Sequence, residues 1–151
     1  MASALGHPVR VFDPYLPDEA FGPFRRVTSL VELAGSVNHL SVHVPLTDET
    51  RGLVGADVLA ALGSSGHLVN TARGAVVDRA ALLAALDAGA IGWASLDVLP
   101  FEPPAGLSGA LVGHPRVTAT PHIAYLSTAS LPRLRRYAAR RLRDALVTPP
   151  A

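Results

Sequence analysis

The sequence predicts an α/β chain built on a doubly wound parallel sheet, and three observations predict it. Short apolar runs alternate with helical patterns along the chain, which is the order of strands joined by crossover helices. Pro and Gly cluster between those runs and punctuate them. Three of the apolar runs lead into residues able to do chemistry, Arg73, Glu102 and His122. An open parallel sheet delivers the last residues of its strands to one edge, where ligands bind.

The elements follow in order. Residues 9–12 read as a short strand, 29–34 as a helical turn, 38–42 as a strand and 57–62 as a helix. Residues 67–70 read as a strand and 79–88 as an Ala-rich helix with Asp78 as N-cap and Gly89 as its stop. Residues 92–97 and 117–120 complete the strands, and the Pro- and Gly-rich stretch 99–113 reads as a loop. A C-terminal helix is expected over 132–146, where Leu131, Leu134, Ala138, Leu142, Ala145 and Leu146 form one apolar stripe. Six arginines between Arg133 and Arg143 fall mostly off that stripe, so a solvated face is the plain reading and a phosphate-binding face the alternative.

At 151 residues, 49% of them hydrophobic, the chain is long enough for one domain with a core and too short for two. A net charge of +1 argues against nucleic acid as partner. All 13 basic residues are Arg, a compositional bias to which no function is attached. The chain has no cysteine, hence no disulfide framework or thiolate chemistry, and no signal-like or membrane-length apolar run. These features lead to the expectation of a cytoplasmic protein with no membrane partner.

The three residues together suit proton transfer and anion binding, and reduction of a 2-keto acid is one reaction that needs both. A 2-keto acid carries a carboxylate beside a carbonyl, and reduction needs hydride at the carbonyl carbon and a proton on its oxygen. The planar donors of Arg73 match a carboxylate. His122 can supply the proton, because imidazole titrates near neutral pH, and Glu102 can hold the ring's tautomer and favour its protonated form. Taken singly, each has a plain reading: a surface arginine, a loop carboxylate, a strand-end histidine. Asp97 lies 24 residues after Arg73, and His122 lies 20 after Glu102. That order and spacing carry the signal.

In the same register, Asn70-Thr71-Ala72-Arg73-Gly74, Leu96 to Pro103 and Thr120 to Ala124 closely resemble the signatures of D-isomer-specific 2-hydroxyacid dehydrogenases. The resemblance runs from about Val9 to about Leu146. Asp13 to Asp18 and His122 to Ser127 look most like the branch related to C-terminal-binding proteins, with Tyr125 where that branch usually has Trp. The resemblance implies a Rossmann-like NAD-binding domain, with Arg73, Glu102 and His122 catalytic and a small 2-hydroxy or 2-keto acid as substrate. It also implies that Val44, Pro45 and Thr50 flank the adenine and pyrophosphate of NAD. Thr71, Ala72 and Asp97 would line the nicotinamide, with Arg73, His122 and Ala124 also at the cofactor. Asp13 ends the first strand, where dinucleotide folds place a carboxylate that binds ribose hydroxyls and repels a 2′-phosphate. A turn-forming Asp-Pro is its structural alternative.

No G-x-G-x-x-G occurs in the chain. The expectation is therefore residues 1–151 as a partial NAD-binding domain that lacks its first strand and glycine-rich turn, with the substrate domain absent and with weak or no activity in isolation. In the order 3-2-1-4-5-6 the missing strand is central. Residues 9–12 should then either pair with 38–42 or stay loosely attached, while the block 38–120 holds four adjacent strands. Two rival readings stay open, a non-catalytic binding module like the C-terminal-binding proteins and an inactive truncated gene product. A homodimer is one assembly that the resemblance allows for the full-length form.

The remaining histidines predict no metal site. His39 and His43 are four apart, roughly 13 Å along a strand. His7, His67 and His114 flank Gly or Pro at element boundaries and are expected at the surface. Trp93 is expected in the core or partly buried, and Asn38 stands where the family usually has Asp.

Overall fold

The computed structural model describes residues 3–99 and 106–147, which divide into two units, 1–121 and 122–151. The first unit holds the sheet. Strands β3 (His39–Val42), β4 (His67–Asn70), β5 (Trp93–Leu96) and β6 (Val117–Ala119) pair in the order β3-β4-β5-β6, all parallel. This is the four-strand block expected from the sequence. The earlier strand is shorter than read: β1 (Arg10–Val11) pairs in parallel with β2 (Arg25–Arg26) and forms no ladder with β3.

Burial along β3 to β5 alternates with period two. Leu40, Val42, Leu68, Asn70, Ala94 and Leu96 are buried, as expected where successive side chains point to opposite faces. Onto that face pack α1 (Leu30–Gly35), α2 (Ala56–Leu62), α3 (Arg79–Asp87) and α4 (Leu107–Gly113), through Leu33, Leu59, Leu82, Leu86 and Leu111. Leu59 and Leu68 are fully buried, each contributing roughly 1.5–3 kcal/mol by removal from water. On the opposite face His39, Ser41, Trp93 and Thr118 are exposed and His67 and Ser95 half-buried.

Local chemistry fixes the helix ends. Ser29 accepts from the Glu32 N–H at 3.1 Å, while the Glu32 carboxylate accepts from the Thr28 N–H and hydroxyl at 2.9 and 2.8 Å, a capping box shifted by one residue. Those bonds, the Thr28 N–H first, hold the Glu32 carboxyl below its ordinary range. Asp78 caps α3 by accepting from the N–H groups of Ala80 and Ala81 at 2.9 and 3.0 Å. Gly92 is dictated by close approach, since a Cβ there would lie 2.8 Å from the Ser64 carbonyl oxygen.

The β1–β2 pair joins the core through its flanks. The Val27 N–H donates to the Val11 carbonyl at 3.0 Å, and Val27 lies within the core cluster with Phe12 packed against it. Arg26 stacks over the buried Phe21 ring at 5.2 Å and pairs with Asp18.

Four sequence expectations need correction. The stretch 99–113 is not all loop, because α4 follows Gly106 (φ 56°) and buries Leu111. Trp93 lies exposed on the open sheet face, its Nε1–H donating to Thr118 Oγ1 at 3.1 Å. The His114 side chain is buried, 3.4 Å from Asp87, and its Nδ1 accepts from the Arg116 N–H. His67 is half-buried because it opens a strand paired on both sides.

In the second unit, Ser127 and Ser130 cap one another through their backbone N–H groups and hydroxyls at 2.9 and 3.1 Å. Helix α5 (Ser130–Val147) follows and carries the Leu stripe and the arginines. Among the described residues no helix is long and apolar enough to cross a membrane.

Candidate active site at the carboxyl edge of the sheet

Strand β4 ends on Asn70, a polar residue at a buried position and only 1% exposed. Its side chain is satisfied by the turn that follows: Oδ1 accepts from the Ala72 N–H and Nδ2 donates to the Arg73 carbonyl, both at 3.0 Å. Leaving such a buried amide unpaired would cost about 1–3 kcal/mol, so Asn70 fixes the path of Thr71, Ala72 and Arg73. Arg73 emerges exposed, with a guanidinium N–H on the Ala72 carbonyl at 2.7 Å.

Asp97 follows β5 and is also buried. Its N–H donates to the Asn70 carbonyl at 3.0 Å, and its Oδ1 accepts from the Thr120 hydroxyl at 2.5 Å. The Thr120 N–H in turn reaches the Leu96 carbonyl at 3.0 Å. The ends of β4, β5 and β6 are thus bonded together one residue beyond the ladder. Arg73 and Asp97 are brought to this edge, and Thr120-Pro121 leads the chain out of it.

His122 and Ala124 open the second unit. Among the described residues His122 is the one non-glycine with positive φ, at 56°, a conformation that costs of order 1–3 kcal/mol and concentrates at functional sites. Its ring meets Tyr125 edge-on, centroids 6.4 Å apart. Glu102 lies outside the described residues.

A second cluster gathers the residues expected on the cofactor side. Asp13 Oδ1 accepts from the Tyr15 N–H at 2.9 Å, so the turn-forming role of this carboxylate is real and leaves one oxygen outside that bond. The Tyr15 hydroxyl donates to Glu49, and that bond, then the carboxylate's charge, pushes the phenol above its ordinary pKa. Glu49 sits in the turn where Thr50 Oγ1 donates to the Pro45 carbonyl at 2.6 Å and accepts from the Thr47 N–H at 2.8 Å. Pro45 and Thr50 therefore share one turn, with Val44 half-buried before it, and Tyr15 ties the Asp13 loop to it.

Sequence reasoning did not assign roles to Asn70, Thr120, Tyr15 or Glu49. For Asn70 a signal was present: it has the parity of buried Leu68 in β4. Nothing local marks the Tyr15–Glu49 bond, which spans 34 residues.

Residues 1–124 match the family described as D-isomer specific 2-hydroxyacid dehydrogenase, NAD binding domain. The chain belongs to this family. D-3-phosphoglycerate dehydrogenase of Bacillus subtilis is 42% identical over 125 residues, 81% of this chain and 23% of that protein. C-terminal-binding protein 1 of Caenorhabditis elegans is 36% identical over 151 residues, 96% of this chain and 20% of its own length. Among solved structures, the NADPH-dependent glyoxylate/hydroxypyruvate reductase of Sinorhizobium meliloti, in complex with NADP and malonate, superposes with a TM-score of 0.84. It is 36% identical, with 99% of this chain and 46% of that one covered. The chain spans less than half the length of each of these relatives.

Proposed function

We propose that this family member holds NAD(H) and supports hydride transfer between it and a small 2-hydroxy or 2-keto acid in the whole protein. The observation that supports the reading is the Asn70–Asp97–Thr120 network, which orders the segment bearing Arg73 at the carboxyl edge of the sheet. The donor set fits the cofactor: Asp13 offers a carboxylate oxygen outside its turn bond, and the Pro45–Thr50 turn is held ready by its own hydroxyls. Asp13, Val44, Pro45, Thr50, Thr71, Ala72 and Asp97 would hold the dinucleotide, with Arg73, His122 and Ala124 at its reactive end. The bound nicotinamide supplies or accepts the hydride.

The chain's own residues do the rest. The Arg73 guanidinium pairs with the substrate carboxylate and orients the adjacent carbonyl. A His122 ring nitrogen gives a proton to the carbonyl oxygen during reduction and takes it back during oxidation. Glu102 would serve as the carboxylate that fixes the tautomer of the ring.

The negative charge of Asp13 disfavours a 2′-phosphate, which distinguishes this proposal from the NADP-bound relative. Calorimetric titration of the whole protein with NADH and NADPH tests it. NADH should bind more tightly, and Asp13→Ala should narrow the difference; equal affinities in the unmutated protein would contradict the assignment. In the whole protein, His122→Ala should lower turnover by about 10²- to 10⁴-fold, while Arg73→Ala should chiefly raise KM.

A further inference from the structure

The open face of the sheet brings together two histidines that are far apart in sequence. His39 opens β3 and His67 opens β4, and the two are Cα partners in the parallel register. Their ring centroids lie 5.6 Å apart with planes at 68°. His67 Nε2 is 2.9 Å from Ser95 Oγ on the next strand. The geometry points to a site for one divalent transition-metal ion of the zinc class, held between His39 and His67 at the amino ends of β3 and β4.

Two geometric arguments support it. With imidazole nitrogens about 2.0–2.1 Å from a tetrahedral metal, two ring centroids on one ion lie roughly 5 Å apart, close to the observed separation. A metal on His67 Nδ1 requires the tautomer that carries its proton on Nε2. Donation of that proton to Ser95 Oγ is the kind of outer bond that fixes a metal-binding ring.

Imidazole ligands select zinc, nickel or copper over magnesium and calcium. No group of three His, Cys, Asp or Glu able to hold a metal occurs among the described residues, so two protein ligands would leave the other positions to water or to an outside ligand. His43 is engaged with Ser41 at 2.8 Å and lies too far along β3 to join. The site is at the opposite end of the strands from Asn70, Asp97 and Thr120 and is independent of the proposed dehydrogenase chemistry. Bound there, the ion would cross-link β3 to β4.

Titration of the chain with zinc chloride, followed by calorimetry and by histidine ring NMR, tests this. One ion per chain should bind, and the ring signals of His39 and His67 should shift together. Ser95→Ala should weaken binding about tenfold, and His39→Ala or His67→Ala should weaken it further, while His43→Ala leaves it unchanged. Both rings lie on the open face, and far-UV circular dichroism verifies that the variants remain folded. Magnesium chloride should give no signal. No saturable zinc binding at millimolar concentration, or an equal loss with His43→Ala, would overturn the site.

Discussion

The β3–β6 block and the β1–β2 pair are both parallel ladders, yet they owe their existence to different forces. Each of β4 and β5 is bonded on both sides and contributes fully or nearly fully buried residues to a core shared with four helices. The β1–β2 ladder has two residues per strand, with Arg25 and Arg26 exposed, and is anchored by flanking residues, Val27 and Phe12. The lesson is that a strand near the edge of what the sequence can specify survives by tethering a buried neighbour. Its own ladder adds little.

Substitutions should expose that difference. Leu68→Ala, in the fully buried middle of β4, should cost about 2–5 kcal/mol, whereas Val11→Ala, in half-buried β1, should cost about 1 kcal/mol or less. Urea denaturation of both variants measures the contrast, and similar losses would erase it.

Next in size is Asn70→Ala. It removes the partners of the Ala72 N–H and the Arg73 carbonyl and should cost roughly 1–3 kcal/mol. Asp13→Ala, whose carboxylate holds an exposed turn at the end of β1, should change stability far less while altering cofactor preference. A stability loss for Asp13→Ala as large as that for Asn70→Ala would place the N-terminal loop inside the cooperative unit.

A smaller effect should appear with pH. Burial, then His39, lowers the His67 pKa below 6.5 in the folded chain, so the unfolded chain binds more protons between the two pKa values. Stability should therefore decline as pH falls below about 6.5 and level off beneath the folded pKa. Glu32 acts lower on the scale: its depressed carboxyl stabilises the fold above the ordinary carboxylate pKa, and that contribution is lost as pH falls through the folded value. Denaturation midpoints against pH for the chain and for His67→Gln check the upper step, which the variant should remove.

Much of the block was legible because its signals are local. The run His67 to Asn70 marks β4, Asp78 and Gly89 bracket α3, and the residues after each strand foretold where Arg73 and Asp97 would sit. What the sequence concealed depends on partners distant along the chain. Strand β2 has no apolar pattern in Arg25-Arg26 and exists because Val27 is buried and bonded to Val11. Helix α4 hid among glycines, with Leu111 as its buried anchor. Trp93 was expected in the core or partly buried, and its strand parity turns it to the open face. The His39–His67 pair could not be seen without the β3–β4 register.

Amide hydrogen exchange on the chain tests most directly whether the four-strand block is the stable unit and the first ladder its appendage. Exchange should be slow at Leu68 to Asn70 and at Ser95 to Asp97, opening only with global unfolding, and fast at Arg10 and Val11. Uniformly strong protection across β1 and β4 in a monomer would contradict this division.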